Sequence, residues 1–305
     1  MRRAIVSLAA YCIFHAALGA PDIALAQIVP APTAQGPTVP GQAIATEPTK
    51  PLAEEVLKTL DTIPLIGDSK TPEEVGLKRI SKTERIWLDA KNKIIVIDGS
   101  IALTEGPLEM FACPRRSKEH ESVVAVDCKS STAHAALLAI GAEEGRPVRY
   151  NGEGDIEAVA TGTEVEVYAL WKNPEGVRQS TRAQDWVRNG KDGKSLAYPW
   201  VFVGSAFSRD EETKRSYYLA DAGEFICVSN FTTATMDLPI ASSDKDAARM
   251  FEAFAERIPT RGTLVRLVLI PKMTGAKTTT SERSEKKEPE ETKPESPTVA
   301  PEQPK

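Results

Sequence analysis

Histidine is nearly missing from this chain, with three in 305 residues, and one of them, His15, lies in an apolar leader. That scarcity excludes a multi-histidine metal centre, which needs several imidazoles in one place. Cysteine is scarce too. Of four residues, Cys12 also falls in the leader, which leaves Cys113, Cys128 and Cys227. An odd number leaves at least one thiol unpaired within a monomer, so packing rather than stapling is the expected use. A basic excess is absent as well: 38 Lys and Arg face 43 Asp and Glu, for a formal charge of -5. Nucleic acid is excluded as a partner on that ground, because phosphates are met by a net basic field. There is no Gly-x-Ser-x-Gly elbow, no Gly-x-x-x-x-Gly-Lys phosphate loop, and no Gly-x-Gly-x-x-Gly after a strand. No cofactor is implied.

What is present begins with an address. Arg2 and Arg3 precede an apolar run from Ala4 to Leu18, and Ala24-Leu25-Ala26 has the small-x-small pattern of a signal-peptidase site. The run is shorter than the roughly 20 residues that span a bilayer, and no later segment approaches that length. A lipoprotein signal fits poorly, since bulky Tyr11 precedes Cys12 inside the apolar core. A twin-arginine route fits poorly too, since Ala4-Ile5-Val6 directly follows the pair. The expectation is a chain exported by the general secretory route, periplasmic or secreted, starting at Gln27 and without a transmembrane span after cleavage.

Composition then divides the chain. Residues 1–26 read as the signal peptide and 27–51 as a Pro-rich disordered linker. Residues 52–77 read as a short amphipathic helix with its connector, 78–271 as one α+β domain, and 272–305 as a disordered charged tail. About 190 residues in the middle suit a single compact domain. Strands are expected at 85–89, 93–103, 108–113, 122–127, 163–169, 177–180, 200–205, 216–220, 224–229 and 263–270, from β-branched content, alternation and intervening turns. Ser130 or Ser131 is expected to cap a helix that Gly141 ends. A second helix is expected over 244–258, where Ala247, Met250, Phe251, Phe254 and Ile258 share one stripe. The expected architecture is a mostly antiparallel β-meander with two main helices.

Chemistry concentrates in Cys113-Pro114-Arg115-Arg116-Ser117-Lys118-Glu119-His120-Glu121. Cations near Cys113 would favour its thiolate, His120 could serve as its base, and Arg115 or Arg116 could hold an anionic substrate. The plainer reading is a buried thiol at a strand end followed by a solvated turn. Cys113, His120, Cys128 and His134 are metal-ligand types, but gaps of six, seven and five residues match no familiar zinc spacing; no metal ligand is assigned. The aromatics include Trp200 and Tyr218, which either pack within the sheet or offer a stacking surface for a glycan or another flat ligand.

The segments Cys113 to Ser122, Trp200 to Ser205, Tyr217 to Asp221 and Cys227 to Phe231 resemble the YdjY domain family of exported bacterial proteins. The resemblance runs from about Lys82 to Pro271. It implies a domain and lends no catalytic residue, cofactor or substrate. The function expected is a non-catalytic binding or interaction module with a cell-envelope component as partner. A thiol-dependent enzyme with Cys113 as nucleophile is the alternative, and a metal-binding protein the second alternative.

Overall fold

The structure is a computed structural model that describes residues 54–242 and 250–273. The leader, the linker and nearly all of the charged tail lie outside the described residues. Eight strands close on themselves: β1 (Ile94–Ile101), β2 (Met110–Pro114), β3 (Ser122–Val126), β4 (Thr163–Lys172), β5 (Trp200–Phe202), β6 (Ile226–Cys227), β7 (Met236–Asp237) and β8 (Leu264–Pro271). Around the ring the order is β1, β8, β4, β5, β7, β6, β2, β3 and back to β1. The pairs β6–β7 and β2–β3 are parallel, and the other six are antiparallel.

This corrects the expected meander. The fold is a closed β-barrel with two α-helices among the described residues, α1 (Glu54–Thr62) and α2 (Ser130–Ala139). Closure depends on the length of β1. Its first half pairs with Ile86–Asp89, and its second half pairs with β3 on the same edge. Where the two neighbours meet, Asp98 N–H donates to Arg85 O at 3.0 Å and Asp127 N–H donates to Asp98 O at 2.8 Å, so the ladder continues across the break. Asp98 is fully buried there and pairs with Arg85 and Arg266 at 2.6 Å each.

The antiparallel hairpin that a meander implies for residues 108–113 and 122–127 is also corrected. Met110 pairs with Ser122 and Pro114 with Val126, which is parallel register. Residues 115–121 therefore run back beside the strand they have just left. Lys118 ties this return down, its ammonium lying 3.0 Å from Glu224, 3.6 Å from Glu121 and 3.9 Å from Glu109. Burial lowers the Lys118 pKa, but the surrounding carboxylates, Glu224 first, outweigh it and leave the net shift upward.

The helix expected over 244–258 is not formed in its described part. Phe251–Ala253 is a strand paired with Val187–Asn189, and turns follow. Phe251 and Ala253 are buried on one face with Glu252 between them, so alternation at this strand overrides the apparent helical stripe.

Inside the barrel one buried apolar cluster takes residues from every strand, including Ile95, Phe111, Val123, Val165, Trp200, Ile226, Met236 and Val265. Ala133, Ala136 and Leu137 join α2 to it. On the outside of β1, β8 and β4, a second cluster gathers Ile94, Val96, Tyr168, Leu170 and Val268 under Leu60, Ile63, Leu65 and Leu77. Among the described residues no helix is long and apolar enough to cross a membrane.

Candidate functional site

The segment singled out in the sequence does not assemble a reactive thiol. Cys113 is fully buried, and burial pushes its pKa up, the opposite of what a nucleophile needs. Ser122, Ser117 and the Lys118 backbone are the hydrogen-bonding neighbours of its sulfur. His120 lies on the surface, its side chain 76% exposed and 3.9 Å from Glu121. Arg115 is bonded to Asp127 at 2.6 Å and to Ser100 at 3.2 Å. Arg116 is exposed in a left-handed conformation, its N–H on the Glu119 carboxylate. Cys128 and Cys227 are buried and free as well, with pKa values raised by burial. Trp200 is buried with its indole N–H donating to Cys227 O at 2.8 Å. Of the named candidates, only Tyr218 reaches a chemically organised place.

That place starts at α2. Asp221 accepts from Ser131 N–H at 2.8 Å and from its hydroxyl at 2.9 Å, fixing the first turn of the helix. One turn on, His134 projects between Phe202 and Tyr218, with ring centroids 5.1 and 5.3 Å away and nearly perpendicular planes. Its Nδ1 lies 2.7 Å from the Tyr218 hydroxyl. The same hydroxyl accepts from Ser205 N–H at 3.2 Å and sits 3.1 Å from Thr235 Oγ1. On the other side of the ring, Nε2 lies 3.4 Å from a Glu144 carboxylate oxygen. Burial lowers the His134 pKa against the opposing pull of Glu144, so the ring is neutral at pH 7. One proton assignment fits the bonded groups, inferred from the network: Thr235 and Ser205 donate to Tyr218 and Tyr218 donates to Nδ1, which leaves the ring proton on Nε2, the nitrogen nearer Glu144.

Glu144 is a half-exposed carboxylate in electrostatic contact with that ring, its side chain 53% exposed. One glycine makes room for it, and a second lets two backbone segments approach beside it. A Cβ on Gly204, which has φ +65°, would come 2.4 Å from the Glu144 oxygen. At Gly162, φ +149°, a Cβ would meet Phe202 O at 2.0 Å. Reciprocal bonds between Glu143 and Thr163, both 2.9 Å, hold the chain after α2 against the start of β4. The result is a cleft of about 540 Å³ bounded by Glu143, Glu144, Gly162, Thr163, Glu164, Lys272 and Met273. Lys272 already pairs with Glu164 at 3.1 Å and Glu166 at 3.2 Å, so the cleft stays net negative. Beyond Tyr218 stands a hairpin of Phe207–Arg209 and Ser216–Tyr218. Phe207, 70% exposed, lies edge-on to Tyr218 at 5.2 Å, and Tyr217 is 49% exposed.

Nδ1 is engaged by the enclosed Tyr218 hydroxyl and Nε2 faces Glu144, so the arrangement supplies a carboxylate acceptor beside a fixed ring rather than a free acid or base. Among the described residues no three His, Cys, Asp or Glu side chains are placed to hold a metal ion. Sequence reasoning weighed His134 as a metal-ligand type and missed Glu144, whose partner His134 lies ten positions away, so no local motif exposes it. Residues 86–270 match the family model of the YdjY domain. Neither a curated protein nor a solved structure matches the chain.

Proposed function

The chain belongs to the YdjY domain family, a membership that fixes a domain and no reaction, and on that premise we propose an exported, non-catalytic binding module of the cell envelope. One observation carries the reading: the Thr235–Tyr218–His134 chain ends on Glu144 at a cleft whose backbone walls approach closely. A ring fixed by buried hydrogen bonds beside the carboxylate restricts how a ligand approaches it, which lowers the ordering cost of accepting hydrogen bonds from that ligand. Export is supported by Arg2, Arg3, the apolar run and Ala24-Leu25-Ala26. The cleft's negative charge suits ligands that donate hydrogen bonds and repels phosphates. A thiol enzyme gains no support from a buried Cys113 with a raised pKa.

The test is an amide-resolved NMR titration with cadaverine, glucose and inorganic phosphate as separate probes. Cadaverine or glucose should shift amides of 143–145, 162–164 and 204–207, phosphate should not, and Glu144→Gln should weaken the effect roughly tenfold, about 1.4 kcal/mol. His134→Asn should weaken it less, since it removes orientation but not charge. Unmoved cleft amides with all three probes at millimolar concentration would defeat the reading.

A further inference from the structure

The outer face of β1, β8 and β4 belongs to the residues that match the family, yet what covers it does not. The match begins at Ile86, and the cover is residues 54–77. We propose that this face is a peptide-docking surface and that residues 54–66 are its ligand in cis, free to leave and rebind while the barrel stays folded.

The contacts have the form of peptide recognition. Leu60, Ile63 and Leu65 enter an apolar floor of Trp87, Ile94, Val96, Tyr168, Leu170 and Val268. Between these anchors the hydrogen bonds go to main-chain carbonyls, with one side-chain ion pair, Arg178 with Asp61 at 3.8 Å. Arg178 donates to Ile63 O at 2.9 Å and to Leu60 O, and Arg266 donates to Pro64 O. These carbonyls lie in the last turn of α1 and just after it; Leu60 O also accepts from Ile63 N–H at 3.2 Å, and the two guanidiniums supply the further donors there. Recognition by carbonyls and spaced apolar anchors reads a short Leu-x-x-Ile-Pro-Leu segment with little demand on the rest of its sequence.

Release is built into the same chemistry. Arg266 and Asp98 are paired to each other at 2.6 Å, and Arg85 also holds Asp98, so this buried charge cluster keeps its counter-ions when the segment leaves, and the ion pair given up inside residues 54–66 is Arg178 with the exposed Asp61, at 3.8 Å. Water then returns to groups that docking had desolvated, which offsets part of the lost apolar contact. The ordering entropy of the strap's backbone opposes docking on the same scale as the burial of its anchors. Downstream, Lys172 holds Asp68 at 2.7 Å, and Gly67 to Thr71 are exposed, so the segment ends in a solvent-facing loop.

A protease site inserted between Ser69 and Lys70 of the otherwise full chain lets the strap be cut without truncating the barrel. After cleavage, a fluorescent peptide of residues 54–69 should displace the cut strap and bind saturably, and Arg178→Ala should weaken it about tenfold. The far-ultraviolet spectrum of the barrel should persist. A cut strap that departs only when the barrel melts would overturn the proposal. Strap exchange between copies, visible as dimers by light scattering before cutting, would overturn the assignment in cis. In the uncut chain, amides of 54–66 should exchange hydrogen at least tenfold faster than those of β8; equal protection would also overturn it.

Discussion

Asp237, on β7, is a fully buried carboxyl. Its carboxylate accepts from Asn230 Nδ2 at 3.0 Å, Leu238 N–H at 2.7 Å and Phe231 N–H at 3.3 Å. Burial nevertheless pushes its pKa up to about 7, against those three bonds, which favour the charged form. A carboxyl raised above its unfolded value of 3.8 holds its proton more tightly when folded. Its contribution to stability is therefore complete below pH 3.8 and is lost as pH rises through about 7. Urea unfolding at pH 5 and pH 8 should show the native chain losing about 3 kcal/mol from this group, at about 1.36 kcal/mol per pH unit between pH 5 and about 7. Asp237→Asn should flatten the difference, and an unchanged slope would place the titration elsewhere. Residue-scale chemistry of this kind was poorly legible. Cys113 was singled out from neighbouring cations, but in the fold its sulfur meets serine hydroxyls and backbone, because β2 packs Cys113 inward.

At the scale of elements, the strands were visible and their partners were not. The runs 108–113 and 122–127 are both found as strands, yet alternation has the same period in parallel and antiparallel pairs, so it does not choose between them. The choice rests on residues 115–121 doubling back, held by Lys118 among Glu109, Glu121 and Glu224. Lys118→Met should strand three carboxylates in a partly buried site and cost about 2 kcal/mol, the scale of a charged hydrogen bond, as a lower urea midpoint. Adding Glu224→Gln should restore part of that loss, because it removes one uncompensated charge. Strictly additive losses would mean that the two side chains are not coupled. Similarly, the stripe expected to be a helix over 244–258 counted residues that share a face only if the chain coils. Phe251 and Ala253 instead find partners on Val187–Asn189.

For the whole molecule, closure leaves the barrel core without an edge through which it could open gradually. Cys113, Cys128 and Cys227 are 0%, 5% and 0% exposed. A disulfide reagent should therefore modify them only through unfolding, with a rate whose urea dependence matches that of global unfolding. One thiol reacting fast in native buffer, at a rate lost in Cys113→Ser, would revive a nucleophilic Cys113.

The sequence by itself determined the strand-rich middle, the α2 helix, the family resemblance and the absence of familiar catalytic spacings, because these depend on nearest neighbours and periods within one segment. Only the tertiary structure decided that the strands close into a barrel, that β2 and β3 run parallel, and that His134, Glu144, Tyr218 and Thr235 meet. Local patterning sets which face of a strand is buried; which strand lies beside it depends on contacts between distant segments, such as Arg266 with Asp98, whose separation no sequence period records.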